Sequence, residues 1–524
     1  MSAEPGSGPS GPSTATSIGA APSGGAAGGQ HHHVQPPGRG NPIVIFLTLS
    51  LGALAYTALQ AMVLPALPEI QRNVHTSQAT ATWLLTAFLL SASIATPILG
   101  RVGDLFGKRL VLILVFVALV LGSLLAALAS SIALLILARA IQGLAGAIFP
   151  LSFGIIRDEF PPHQVPASIG LMSAMLGVGS GVGIVLAGPI VDALSWHWLF
   201  WLAMIVAGLA LVASIVFIPE SPVRATGTVN LGAAAALGTW LVALLLGLSE
   251  GTRWGWASPG TLGLFAAAVV LFAVWAWVEN HSATPLIDLK IMKIPAVWWT
   301  NVVALLLGVG MYSTFVLIPP MMQTPKSVGY GLGASVTMSG LYMLPSTGAM
   351  LVVSLLIGMI THRFGAKLPL VLGSVLTSAA FMVLIFAHDH PWGFIVTSVL
   401  QGIGIGLAFS SMANLIIEAV PIEATGAATG MNANIRTIGG SIGSGVIASV
   451  LASGTLASGY PKESGYTTSM VIVVIATLVA AFAGALVPRR RGRSGTGTGT
   501  PAQRADIPAT SGEPIAAPAA GLTA

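Results

Sequence analysis

Fourteen stretches of about twenty apolar residues follow one another along this chain, and that pattern leaves few folds open. They run roughly over 43–68, 80–101, 109–129, 132–155, 167–191, 197–218, 230–248, 260–279, 294–319, 333–360, 367–387, 393–417, 427–453 and 468–487. A helix of about 20 residues crosses the roughly 30 Å hydrocarbon core of a bilayer. Lipid offers no partner for backbone N–H and C=O groups, so such stretches span as helices. Composition agrees: 54% of the 524 residues are hydrophobic and 7% are charged, against roughly 25% charged in soluble domains. That charge cannot cover a soluble surface of this size, which excludes a soluble enzyme and a long disordered protein. With no cysteine, disulfides, thiol nucleophiles, cysteine metal sites and iron–sulfur clusters are also excluded. Residues 1–41 and 489–524 are rich in Gly, Ser, Pro, Thr and Ala and are expected to be disordered tails. His31, His32 and His33 read as polar residues of such a tail, and no metal or other cofactor is expected.

The cations give an orientation. With an even number of spans and an inner N-terminus, Arg39, Arg101, Lys108, Arg109, Arg157, Arg224, Lys290, Lys293, Arg363, Lys367, Arg489, Arg490, Arg491, Arg493 and Arg504 lie inside. Only Arg72, Arg253, Lys326 and Lys462 lie outside, and Arg139 and Arg436 fall within spans. The net charge of +5 is therefore topological bias rather than a nucleic-acid surface. Both termini are expected in the cytoplasm of a multi-pass protein of the cell membrane.

The halves repeat. Gly100-Arg-Val-Gly-Asp104-Leu-Phe-Gly107-Lys108-Arg109 aligns with Gly358-Met-Ile-Thr-His362-Arg363-Phe364-Gly365-Ala366-Lys367 at an offset of 258, and Gln142-Gly143 with Gln401-Gly402 at 259. Parallel six-helix repeats are one way transporters are built. Six helices at this spacing need only about 190 residues, so segments 230–248 and 260–279 read as an inserted pair. The expected organisation is a six-helix bundle over 42–220, a linker with two inserted helices over 221–292, and a second bundle over 293–488.

Gly100 to Arg109 resembles the signature loop between helices 2 and 3 of the major facilitator superfamily, and fourteen spans narrow the resemblance to the 14-helix drug:proton antiporter branch. It covers about 43–488 and implies an all-α integral membrane protein of the major facilitator fold. In that family the Asp at the position of Asp104 meets the dipole of a helix in the other half and latches the outward-facing state, which the field at a helix N-terminus makes reasonable. Gly100, Asp104, Gly107, Lys108 and Arg109 are the implied latch. The family's second cation beside the Asp is Leu105 here. Leu137-Ala-Arg139-Ala-Ile-Gln142-Gly143 resembles the fourth-helix motif, whose Arg is implicated in proton movement. Arg139 and Gln142 share a helix face, and pairing of Arg139 with backbone carbonyls for packing stays open beside the functional role. Gly179, Gly183, Gly188 and Pro189 resemble, loosely, the helix 5 pivot of exporters, with Val191-Asp192 in place of the closing glycines. The aromatic run at Trp196 and Trp198 reads as an interfacial belt. Gly426 to Gly440 resembles the family's matching segment and carries Asn432 and Arg436, four apart and able to hydrogen-bond. A cavity-lining and a structural role are both open for Arg436.

The branch usually carries an Asp in helix 1 just before Ala-Leu-Pro. Ala66-Leu67-Pro68 is present, but the Asp position reads Leu59, followed by Gln60. No carboxylate or histidine falls mid-membrane, and arginine does not release a proton readily. If protons couple, Asp192 is the first candidate and Asp104 the second. The same absence favours neutral, zwitterionic or anionic cargo. Gln60, Gln142, Asn432 and the two arginines are candidates for lining a cavity.

These readings converge on a secondary transporter that exports small amphipathic, drug-like molecules by alternating access, with the proton gradient as drive. The expected partners are the substrate, protons and the bilayer. Neither nucleic acid nor nucleotide is expected, since no GxxxxGK[ST] loop is present. Alternatives are a metabolite or lipid transporter with other or no coupling, and a non-transporting receptor or scaffold. An enzyme is not expected, for want of a clustered site.

Overall fold

The computed structural model describes residues 40–488, apart from 77, 222–227, 229, 283–284, 286, 455 and 457–459. The expected tails, and the stretch of linker around Arg224, therefore lie outside the described residues. Sixteen α-helices follow in order among the described residues: α1 (Pro42–Asn73), α2 (Gln78–Phe106), α3 (Lys108–Ala127), α4 (Ile132–Gly143), α5 (Ile148–Glu159), α6 (Val165–Ala193), α7 (His197–Phe217), α8 (Leu231–Trp254), α9 (Pro259–His281), α10 (Leu289–Met292), α11 (Pro295–Gln323), α12 (Val336–Phe364), α13 (Lys367–Ala387), α14 (Pro391–Ala419), α15 (Thr425–Ala452) and α16 (Glu463–Leu486). They provide fourteen helices long and apolar enough to span a membrane. A 3₁₀ turn at Leu144–Ala147 joins α4 and α5 into one span, and α10 is a short linker helix absent from the hydropathy reading.

Local chemistry sets many of the helix starts. Asn41, Ser131, Asn230, Ser258 and Ser335 each accept a hydrogen bond from a first-turn N–H, which satisfies a donor the helix itself cannot. Pro42 and Pro259 follow two of these caps, where the missing N–H costs nothing. Within the spans, hydroxyls such as Thr57, Thr96 and Ser173 donate to the carbonyl four residues earlier. Lipid supplies no other acceptor to a buried hydroxyl.

The two halves pack alike. In the first, α1 lies against α6 and α7, α2 against α4, and α3 against α7 and α4. In the second, α11 lies against α15 and α16, α12 against α14, and α13 against α16 and α14. The correspondence reaches single atoms. A Cβ on Gly143 would sit 2.6 Å from Phe88 O, and one on Gly402 would overlap Ser346 O, 258 positions on. Arg139 Nε donates to Leu84 O at 3.1 Å, and Ser398 Oγ donates to Tyr342 O at 2.9 Å. The chain thus forms the expected architecture of two six-helix bundles plus an inserted pair.

The inserted helices dock at a seam. α8 and α9 pack on each other, and α8 lies against both α2 and α15, one from each half. Trp240 and Trp275, with ring centroids 6.0 Å apart, form a cluster with Ile94, Ile98, Met431 and Ile438. Thr86 and Ser249 hydroxyls lie 3.2 Å apart, and Trp256 Nε1 donates to Ser449 Oγ. Trp256→Phe keeps the stack on Phe265 and removes one hydrogen bond, an expected cost of about 1 kcal/mol. Amide exchange in α8 and α9 should quicken; unchanged exchange would show that Ser449 does not hold the hairpin.

Two expectations need correction. The signature stretch is hardly a loop: α2 runs to Phe106 and α3 starts at Lys108, leaving Gly107 alone between them at φ +116°. Left-handed backbone needs glycine, and a Cβ there would also strike the Glu220 carboxylate. Trp196 is not part of an interfacial belt. It is 3% exposed, stacked on His197 and edge-on to Phe200, while Trp198 is the exposed one.

Candidate functional site

The helix ends where α2 gives way to α3 are called the basic end. Here Asp104, 1% exposed, accepts hydrogen bonds from Gly426 N at 3.3 Å and Ala427 N at 3.1 Å. Those N–H groups open α15, whose own N-cap position, Ala424, supplies no side-chain acceptor. Asp104 thus caps a helix of the opposite half, where the dipole favours an anion. The approach requires two glycines: a Cβ on Gly100 would sit 2.6 Å from Gly426 O, and one on Gly426 the same distance from Gly100 O.

The neighbouring cations are pinned rather than solvated. Lys108 is 1% exposed, with Nζ 2.7 Å from Asp158 Oδ2 and 4.0 Å from Asp104 Oδ1. Ser221 donates to the same Asp158 oxygen. Arg109 Nη2 donates to Ile215 O at 2.7 Å, tying α3 to the end of α7. Leu105, in place of the family's second cation, is buried.

Arg157 is a residue the sequence reading treated only as an inner cation. Its guanidinium donates to Val420 O at 3.0 Å, Pro421 O at 3.3 Å and Thr425 Oγ1 at 2.5 Å. It closes the carbonyl end of α14 from the other half. Its partners stand 263 and more positions away, and the sequence carries no local signal for them.

At mid-span, Arg139 is fully buried, donating to Leu84 O and, at 2.9 Å, to Gln142 Oε1. Gln142 passes the chain on to Ser123 Oγ at 3.1 Å. Arg139 also lies 4.0 Å over the Phe88 ring, which stacks on Tyr56. Arg436 sits 4.3 Å over the Phe409 ring. The expected Asn432–Arg436 hydrogen bond does not form. Asn432 Nδ2 instead donates to Asn301 Oδ1 at 2.9 Å, because α15 lies so close to α11 that the short amide reaches across while the longer guanidinium turns to α14. Asn301, Phe88, Phe409 and Tyr56 complete the centre. Gln60 is half-buried on α1 and, among the described residues, makes no hydrogen bond.

α6 lies between the halves. Cβ atoms on Gly179 and Gly183 would overlap Thr57 and Ala58 of α1, and those on Gly177 and Gly181 would overlap Met350 and Thr347 of α12. Its glycines thus allow contact on both sides. A Cβ on Gly188 would meet Thr337 Oγ1 at 4.0 Å, an ordinary contact, and the helix runs unbroken through Pro189 to Ala193. Asp192 belongs to its last turn, and its side chain lies outside the described residues.

The far end is less tightly closed. A cleft of about 260 Å³ lies among Pro65, Glu69, Gly188 and Thr337, and shares Ile184 and Gly340 with an inner cavity of about 80 Å³ bounded by Ser180, Met311, Thr314 and Gln401. No group of three or more metal-ligating side chains occurs among the described residues.

Duplicated six-helix packing, a cap exchanged between the halves and a cleft at the opposite end are the parts of a transporter. The sequence matches the Major Facilitator Superfamily over residues 49–444, and again over 302–520. This chain belongs to the Major Facilitator Superfamily. As a Major Facilitator Superfamily protein it is a multi-pass membrane transporter of small molecules and not an enzyme. It is 28% identical over 420 residues to the tetracenomycin C resistance and export protein of Streptomyces glaucescens, covering 79% of this chain and 77% of that one. It is 27% identical over 435 residues to the multidrug resistance protein Stp of Mycobacterium tuberculosis, covering 81% and 80%. The multidrug transporter protein MdtP of Bacillus subtilis is likewise 27% identical, over 79% and 76%. Among solved structures, the human organic anion transporter MFSD10 superposes with a TM-score of 0.58 at 19% identity, over 85% of this chain and all of that one. That likeness concerns the fold.

Proposed function

We propose that this transporter exports small amphipathic molecules across the cell membrane by alternating access between bundles 42–220 and 293–488, with 221–292 as the inserted linker. The observation that carries this is the cap that Asp104 provides for α15 while a cleft opens at the other end. Such a contact closes one side and can be broken without unfolding either half. The basic end is then cytoplasmic, following the distribution of Lys and Arg, and Gly100, Asp104, Gly107, Lys108 and Arg109 form the latch. The glycines of α6, with Gly188 and Pro189, serve as the pivot. The export and multidrug names of the relatives support the drug-like class of cargo.

Proton coupling is the drive we propose, with Asp192 and then Asp104 as the exchanging groups. A second reading, a carrier of metabolites or lipids without proton coupling, is favoured by one observation. The buried carboxylates Asp104, Asp158, Glu159, Glu250 and Glu279 all stand near helix ends. Purified protein in liposomes loaded with a pH dye separates the two. Substrate-driven proton flux is expected, falling at least tenfold in Asp192→Asn. Substrate movement without proton flux selects the second reading, and full flux in the variant removes Asp192 from the coupling path.

A further inference from the structure

Two guanidinium groups stand near the middle of the membrane on opposite halves, and among the described residues neither forms an ion pair with a carboxylate. Arg139 keeps Nη2 without a hydrogen-bond partner although the residue is fully buried. Arg436 makes no hydrogen bond among the described residues and borders a small cavity of about 20 Å³ with Phe149, Phe153, Phe409 and Asn432. The two cations are linked through aromatic side chains. Arg139 lies on Phe88, Phe88 stacks on Tyr56, and Tyr56 meets Phe149, a wall of that cavity, edge-on at 6.5 Å.

Among the described residues, the buried acids stand near helix ends. Asp104 meets α15 at Gly426, ten residues and therefore roughly 15 Å along the helix from Arg436. Asp158 is held by Lys108, and Glu250 by Arg253. A cation within a membrane is costly unless it is paired, and aromatic faces compensate only in part. An aromatic-walled space bordered by Arg436, with Arg139 beyond its Phe149 wall through Tyr56 and Phe88, is complementary to an anionic group on an aromatic body.

We infer that Arg139 and Arg436 form the binding site for the carboxylate of an aromatic organic anion, carried between them as the halves rock. This rests on the exporter reading above. The present cavity holds little more than one water, so the site widens as the bundles part. Arg436, the less engaged of the two, makes the direct contact. Arg139, tied to Leu84 and Gln142, contributes its field and its free Nη2.

The test compares fluorescein with rhodamine 123, which share a xanthene frame and differ in charge. Transport into proteoliposomes and binding to purified protein, read by fluorescence polarisation, are measured for the native chain, Arg436→Lys, Arg436→Gln and Arg436→Glu. Fluorescein is expected to move at least tenfold faster than rhodamine 123. Binding and transport of fluorescein should fall at least tenfold in Arg436→Gln and remain within about threefold in Arg436→Lys, and Arg436→Glu should reverse the preference. The lysine variant also reports whether the site tolerates substitution and still folds. Faster transport of rhodamine 123, or unchanged fluorescein binding in Arg436→Gln, overturns the anion site and leaves the exporter reading standing. Failure of both dyes to move, together with absence of substrate-driven flux across neutral, cationic and anionic compounds, overturns both.

Discussion

Asp104→Asn should open the basic end and cut transport at least tenfold. The amide keeps one oxygen to accept from Gly426 N or Ala427 N, but its NH₂ then faces the other donor, and the charge that the α15 terminus favours is gone. Hydrogen bonds to charged groups are worth about 1.5–3 kcal/mol each, and 1.4 kcal/mol is about tenfold in an equilibrium. Losing one shifts the closed population by about ten- to a hundredfold. The chain contains no cysteine, so a single reporter suffices. Ser410 is fully buried where α14 meets α6, donating to Gly170 O at 3.3 Å. Maleimide labelling of Ser410→Cys from the basic side should quicken by the same factor when Asp104→Asn is added. An unaltered rate would mean that the cap does not hold that end shut.

Gly439→Val should prevent normal assembly of the second half. A Cβ on Gly439 would overlap Leu305 O, and one on the facing Gly308 would overlap Arg436 O. Both obstacles are backbone, so no rotamer change relieves them. α11 and α15 must then separate, at a cost of about 3 kcal/mol or more. Separation also breaks the Asn432–Asn301 hydrogen bond and moves Arg436. Gly348→Ala on α12 is the control, since no atom lies within 4 Å of its Cβ position. The valine variant should give little monodisperse protein after extraction and a lowered unfolding temperature, whereas the alanine variant should match the native chain. Normal yield and melting of Gly439→Val would show that the two helices are not held this closely.

Much of the architecture was readable because lipid acts on local sums. A window of apolar residues is sufficient to define a span, so the first segment, read as 43–68, is found at Pro42–Leu67, and the last, read as 468–487, at Glu463–Leu486. Where a second signal is needed, boundaries shift: Thr337–Phe364 extends past the expected 360, because His362 and Arg363 remain helical at the membrane edge. The repeat was readable because duplicated packing keeps the same small residues at the same intervals. Gly143 and Gly402 meet equivalent carbonyls for that reason. Arg139 and Gln142, read as sharing a helix face, are also hydrogen-bonded, since three residues lie within one helical turn.

The sequence by itself therefore determined fourteen spans, their duplicated order and the likeness of Gly100–Arg109 to a known family. Tertiary structure alone decided that the helix Asp104 caps is α15, through Gly426 N and Ala427 N, and that Arg157 reaches α14 of the other half. It alone decided that Asn432 bonds Asn301 instead of Arg436, and that the inserted helices cover the seam between α2 and α15. Hydropathy carries no information about which face of an apolar helix meets which neighbour, since lipid is as good a solvent for leucine as another helix is. Partner choice rests on the fit of small residues and on polar groups seeking acceptors they cannot find in lipid. Those contacts exist only after helices hundreds of residues apart have been brought together.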